Sequence, residues 1–303
     1  MLETTSATQR FEFPVAVGSS VDAIFAGYFH PATTPIRRAV LQVVVHGVSY
    51  DHRYWDAGVV NDRDYSYVRY MTAQGFDVLA VDLPGVGTSS KPNGYDFSLD
   101  GVAHALSSLV VSLKQSGNVT GHNFDRVTLV GHSMGSTIGV YAEANWPAAD
   151  ALIVTATGYY SDRETSGWAP GVREKLLEAD YALVHPELRL MFYHPGAADP
   201  AAIAYDNHVL RSATPSGLWS DCIALRDDPK CGVGQVHCPV YVQLGEFDPV
   251  MYGRYAQQEA QCYVGSREVV VEQIDGIGHS FNLHHERVRS WHAICDYLDS
   301  RLA

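Results

Sequence analysis

The order of apolar and polar positions divides the chain into alternating strand-like and helix-like segments. Residues 10–17 (RFEFPVAV) and 21–29 (VDAIFAGYF) alternate and are rich in β-branched and aromatic side chains, which predicts two antiparallel strands. LQVVVHG (41–47) is a short continuous apolar run, the pattern of a strand buried on both faces. YSYVRYMTAQG (65–75) has helical spacing with Gly75 as its C-cap, and FDVLAVDLPG (76–85) is a second buried strand stopped by Pro84 and Gly85. DGVAHALSSLVVSLKQSG (100–117) is helical with Asp100 near its start. RVTLVGHS (126–133) predicts a strand, MGSTIGVYAEANW (134–146) a helix ended by Pro147, and ALIVTATG (151–158) another strand.

The rhythm breaks between about Gly158 and Val236, a stretch with several Pro and Tyr and short helical pieces such as VREKLLEADYALV (172–184). It contains no run that reads as a core strand. The alternation then returns with CPVYVQLGEFDPV (strand), MYGRYAQQEAQCY (helix), REVVVEQID (strand) and HERVRSWHAICDYLDSRL (helix). The expected architecture is an α/β fold with a mostly parallel, doubly wound sheet of eight strands. Residues 1–157 and 236–303 form its core, and 158–235 an inserted helical cap.

With 303 residues, 46% hydrophobic and 18% charged, the chain has the composition of an ordinary globular protein. The formal charge of −13 and the lack of a basic stripe argue against nucleic acid as a partner. No stretch approaches the ~18 apolar residues of a membrane span. MLETTSATQR lacks the n- and h-regions of a secretory signal, so a cytoplasmic location is the expectation. Cys222, Cys231, Cys238, Cys262 and Cys295 are odd in number and lack a C-x-x-C spacing, which argues against a zinc site or a disulfide scaffold. Cys222 and Cys231 could close a loop, but free thiols are the preferred reading. A homodimer is left open.

Gly131-His132-Ser133-Met134-Gly135 follows a predicted strand and precedes a predicted helix, the setting of the G-x-S-x-G nucleophile elbow. A serine hydroxyl needs a base that a third group orients. In this setting the expected order is Ser, acid, His. GEFDPV offers Asp248 and GIGHSF offers His279, both on loops after strands, at the edge where open α/β sheets place their sites. Glu246 (on or beside its strand), Asp275 (too close to His279) and Asp162 are the rival acids; His284 and His285 begin a helix and are expected to be solvated. Oxyanion donors are expected from the backbone N–H of Met134 and of Val48, with Ser49 the runner-up. His46 reads as a structural imidazole supporting that loop. Asp51, His52 and Asp56 read as a polar loop rather than metal ligands.

Taken together, VVVHG, Asp82-Leu83-Pro84-Gly85-Val86-Gly87-Thr88-Ser89, GHSMG, Asp248 and His279 resemble the α/β-hydrolase superfamily, in its capped branch. The resemblance implies hydrolysis through an acyl-enzyme without metal or organic cofactor. Ser133 stands where haloalkane dehalogenases and epoxide hydrolases carry Asp. The expected activity is that of an esterase or lactonase acting on a hydrophobic small molecule. Thioesterase or C–C hydrolase chemistry, and a ligand-binding receptor on the same scaffold, are the alternatives. Pockets are mostly apolar, so Tyr50, Tyr54 and Trp55 in the oxyanion loop are candidate substrate contacts, with Tyr159 and Trp219 from the cap. Other cap aromatics, among them Trp168, are expected to pack the cap onto the core.

Overall fold

The structure, a computed structural model, describes residues 8–17, 22–35, 38–160, 171–226 and 231–302; Asp162 and Trp168 lie outside them. Eight strands make one sheet: β1 (Gln9–Ala16), β2 (Asp22–His30), β3 (Val40–Val45), β4 (Asp77–Asp82), β5 (Arg126–His132), β6 (Ala151–Thr155), β7 (Val240–Gly245) and β8 (Val269–Ile274). Their order across the sheet is β1-β2-β4-β3-β5-β6-β7-β8. β2 runs antiparallel to both its neighbours, β1 and β4, and every pairing from β4 across to β8 is parallel. In register, Val43 of β3 faces Leu79 of β4 and Leu129 of β5.

The continuous apolar runs are explained by burial on both faces. Within β3, Leu41, Val43 and Val45 join a core with Leu106 and Ile138, on the face covered by α2 (Leu99–Leu113) and α3 (Met134–Asn145). Val40 and Val44 point the other way, into a core with Tyr67, Met71, Trp291 and Leu298 from α1 (Tyr67–Ala73) and α9 (Arg287–Leu302). Side chains two apart share a face, so a central strand such as β3 feeds both cores, whereas β1 and β2 contribute only to the first. Side-chain caps set the helix starts: Ser66 accepts the Arg69 N–H for α1, and Ser98 accepts the Gly101 N–H for α2.

Two boundaries differ from expectation. Tyr65 and Ser66 belong to a hairpin, Asp56–Val60 with Arg63–Ser66, so α1 is shorter than its apolar spacing suggested. The predicted helix after β7 is reduced to a 3-10 turn, Gly253–Tyr255, and the short α8 (Ala256–Ala260). Between β6 and β7 lie α4 (Val172–Leu176), α5 (Pro186–Arg189), α6 (Pro200–Tyr205) and α7 (Ser216–Arg226), joined by a two-residue ladder of Tyr181–Ala182 with Thr214–Pro215. Cys222 and Cys231 are both buried. Among the described residues no helix is long and apolar enough to cross a membrane.

Candidate active site

β5 ends at His132 and α3 begins at Met134, leaving Ser133 at the turn. Its φ of 52° and ψ of −116° lie where a residue with a Cβ pays roughly 1–3 kcal/mol. Ser133 N–H donates to the Thr155 carbonyl at 2.8 Å, and Thr137 N–H donates to the Ser133 carbonyl at 3.0 Å. Gly135 is dictated by close approach: a Cβ there would stand 2.3 Å from the Val45 carbonyl oxygen.

The loops after β7 and β8 bring the partners. His279 Nε2 is 2.9 Å from Ser133 Oγ, and His279 Nδ1 is 3.0 and 3.1 Å from the two Asp248 carboxylate oxygens. Asp248 and His279 are buried, while Ser133 is half-buried. Asp248 Oδ1 also accepts the Val250 N–H at 2.9 Å, which fixes the carboxylate. With the proton on Nδ1 facing Asp248, the Nε2 lone pair faces the serine hydroxyl. The arrangement can therefore move a proton off Ser133 and stabilise the resulting imidazolium. The rival acids lie elsewhere: Glu246 accepts the Gly276 N–H at 2.9 Å, and exposed Asp275 pairs with Arg289.

Three further imidazoles surround this group. His46 Nδ1–H donates to the Gly47 carbonyl at 2.9 Å and its Nε2 accepts the Leu83 N–H at 3.2 Å, which buttresses the loop after β3. His132 Nε2–H donates to the His279 carbonyl at 2.9 Å. His284, expected to be solvated, is fully buried before α9: its Nε2 accepts the Gly278 N–H at 3.0 Å and its Nδ1–H donates to the Ser280 carbonyl at 2.8 Å. Burial holds His46 below, and His132 well below, the ordinary histidine value, and lowers His284 to about 4. Nothing in the sequence distinguished His284 from a helix-starting surface residue, because its partners are backbone groups of a non-periodic loop.

Ser133 opens into a cavity of about 50 Å³ that Val48, Met134, Tyr159, Trp219, Cys222 and Ile223 help to line. The Met134 N–H belongs to the first turn of α3 and so has no acceptor within that helix. The loop carrying Val48 is pressed onto the elbow: a Cβ on Gly47 would lie 3.1 Å from Ser133 Cβ. Ser49 N–H instead donates to Thr214 Oγ1 at 3.0 Å, so the runner-up donor is engaged elsewhere.

Tyr50, Tyr54 and Trp55 are not brought to this cavity, and their assignment as substrate contacts is corrected. All three are buried behind the site, where the Tyr54 ring lies 4.3 Å from that of His132 and the Trp55 ring 5.0 Å from that of Tyr67. The 3-10 turn His52–Tyr54 and the hairpin after it turn these large apolar surfaces into the core shared with α1 and α9. Asp51 and His52 do gather with Asp82, but the Asp51 carboxylate is forked by Arg53 and His52 Nδ1 lies 2.8 Å from Asp82. Burial opposes the charge on Asp82, yet the bonds from His52 and the Thr88 N–H bring its carboxyl down to about 2. Asp56 stands apart and accepts the Ser66 hydroxyl at 2.5 Å.

Residues 42–291 match the sequence profile described as the Alpha/beta hydrolase family. An uncharacterized protein of Mycobacterium tuberculosis is 29% identical over 117 residues, 38% of this chain and 28% of that protein. The chain thus spans well under two thirds of the length of this curated relative. Among solved structures, a thermophilic esterase from Thermogutta terrifontis superposes with a TM-score of 0.66 at 20% identity, over 97% of this chain and 100% of that one. A soluble variant of monoglyceride lipase from Saccharomyces cerevisiae gives 0.73 at 13% identity, over 99% and 97%. At these identities the two structures establish a common fold.

Proposed function

The chain belongs to the alpha/beta hydrolase family, and from that premise we propose that it is a serine hydrolase cleaving a carboxylic ester or lactone of a hydrophobic small molecule. The observation that carries this reading is the line from Asp248 through His279 to Ser133 Oγ, with bonds of 3.0 and 2.9 Å. His279 Nε2 takes the serine proton as Oγ attacks the carbonyl carbon. The oxyanion that forms is met by the N–H groups of Met134 and Val48. Collapse expels the alcohol, which takes its proton from His279, and leaves an acyl group on Ser133. Water then enters by the same route in reverse, deprotonated by His279, and releases the acid. Asp248 holds the ring in the productive tautomer throughout.

Residues 158–235 serve in this reading as a cap, and their Tyr159 and Trp219 would touch the substrate. The small, largely apolar cavity supports an apolar group beside the reacting carbonyl. The chemistry needs no metal or organic cofactor. The test is turnover of p-nitrophenyl esters and labelling by a fluorophosphonate, with wild type and Ser133→Ala compared. Both are expected to vanish in the variant while its melting temperature is kept. Undiminished ester turnover by Ser133→Ala would refute the proposal. Rates on matched esters, acyl-thioesters and β-diketones then assign the bond that is cleaved.

A further inference from the structure

Arg189 and Asp206 form an ion pair with both side chains fully buried, Nη2 lying 2.5 Å from Oδ1. Removing such charges from water costs several kcal/mol per ion, so the pair is a weak source of stability and calls for another explanation. Both residues belong to the segment between β6 and β7. Arg189 ends α5, and Asp206 opens a π-helical turn, Asp206–Leu210, directly after α6. The Tyr193 hydroxyl donates to Asp206 Oδ2 at 2.6 Å and the Tyr50 hydroxyl to the same oxygen at 3.3 Å. The Arg189 guanidinium stacks 4.6 Å over the Tyr50 ring. Its second arm leaves the pair altogether: Nη1 donates to the Ser49 hydroxyl and, at 3.4 Å, to the Ser49 carbonyl.

Ser49 directly follows Val48 and has a φ of 60°, left-handed backbone that disfavours a residue with a Cβ by about 1–2 kcal/mol. Every polar group of this residue is tied to the same insertion. Beside the Arg189 contacts, Ser212 N–H donates to the Ser49 carbonyl at 2.9 Å and Ser49 N–H donates to Thr214 Oγ1 at 3.0 Å. On its other side the network reaches the base: Tyr50 Oη is 2.7 Å from Ser280 Oγ, one residue beyond His279. Main-chain strain beside a functional group persists only where its surroundings over-determine it. Here the surroundings are supplied by Ser212, Thr214 and Arg189, of which only Arg189 holds the Ser49 side chain.

We propose that Arg189 is a positioning residue which, with Asp206 as its counter-ion, locks the strained backbone at Ser49 and thereby aims the Val48 N–H at the oxyanion. This rests on the reading of Ser133 as a hydrolytic nucleophile. Loss of a whole oxyanion donor costs about 10²–10³ in kcat. A donor left in place but released from its lock is expected to cost about tenfold or more in kcat, with KM held within about twofold. Affinity for a trifluoromethyl ketone, which forms a tetrahedral adduct on serine, should fall by the same factor as kcat.

Two variants carry the test. Arg189→Lys keeps the charge but loses the planar fork that reaches Asp206 and Ser49 together. Arg189→Met with Asp206→Asn removes both charges and leaves neither buried alone. Melting temperatures identify the variants that fold. If neither does, Ser49→Ala, which deletes only the hydroxyl, carries the same prediction with a loss of about threefold. Folded variants with unchanged kcat and ketone affinity would overturn the proposal, as would a rise in KM alone. Failure of the wild type to turn over esters or take a fluorophosphonate would defeat the hydrolase reading itself, a result distinguishable from either.

Discussion

Acid should unfold this protein partly through His284, and the size of the effect follows from its two bonds. The ring accepts the Gly278 N–H on Nε2 and donates from Nδ1 to the Ser280 carbonyl, so one neutral tautomer fits both partners. A proton on Nε2 would set two donors face to face inside a fully buried pocket. Burial accordingly lowers the group from 6.5 to about 4. In the unfolded chain the same imidazole takes up its proton near 6.5. Between those values the unfolded state binds the extra proton, so stability is complete above about pH 6.5 and is lost as pH falls through about 4. At about 1.4 kcal/mol for each tenfold step in proton affinity, the contribution is about 3 kcal/mol. His284→Asn retains a donor for Ser280 and cannot titrate. Urea unfolding of wild type and variant should therefore differ in slope, the wild type losing about 3 kcal/mol more between about pH 7 and about pH 4. Groups common to both proteins cancel in that difference. Parallel curves, whatever their offset, would show that His284 is not held neutral by the fold.

Asp248→Asn should lower kcat by about 10⁴, because the amide favours the wrong imidazole tautomer while its shape preserves the loop; single-turnover acylation kinetics read this directly. A loss of less than about tenfold would remove Asp248 from its assigned role. Trp219→Leu opens the cavity of about 50 Å³ and should shift the ratio of kcat/KM for hexanoyl over acetyl esters upward by about tenfold, read from a p-nitrophenyl ester series. An unchanged ratio would place Trp219 outside the acyl path.

The parts of the molecule legible in the sequence are those written in short periods. Strand β3 shows as a continuous apolar run because Val43 and Val44 bury on opposite faces of the sheet. Ser133 shows because its turn requires glycine at fixed offsets. Residues that depend on long-range packing were not legible. Tyr50, Tyr54 and Trp55 lie close in sequence to the Val48 loop, yet the hairpin after them carries their rings into the core behind His132. Arg189 and Asp206 sit in a stretch without periodicity, and nothing local marks either as the partner of Ser49, 140 residues away from Arg189.

Of the four histidines near Ser133, the fold gives only one a carboxylate partner. His46, His132 and His284 bond only to backbone groups, and burial makes their charged forms costly. His279 is equally buried, but alone among the four its ring faces a carboxylate. A buried imidazolium is tolerable only beside a counter-charge, so under the proposed mechanism the proton leaving Ser133 has one place to go. The neighbours then act as neutral spacers: His132 ties the His279 carbonyl to the end of β5, and His284 closes the same loop from the α9 side. Replacing one of these spacers would loosen the loop; under the proposed mechanism, replacing Asp248 would leave the loop in place and take away the charge that lets His279 accept the serine proton.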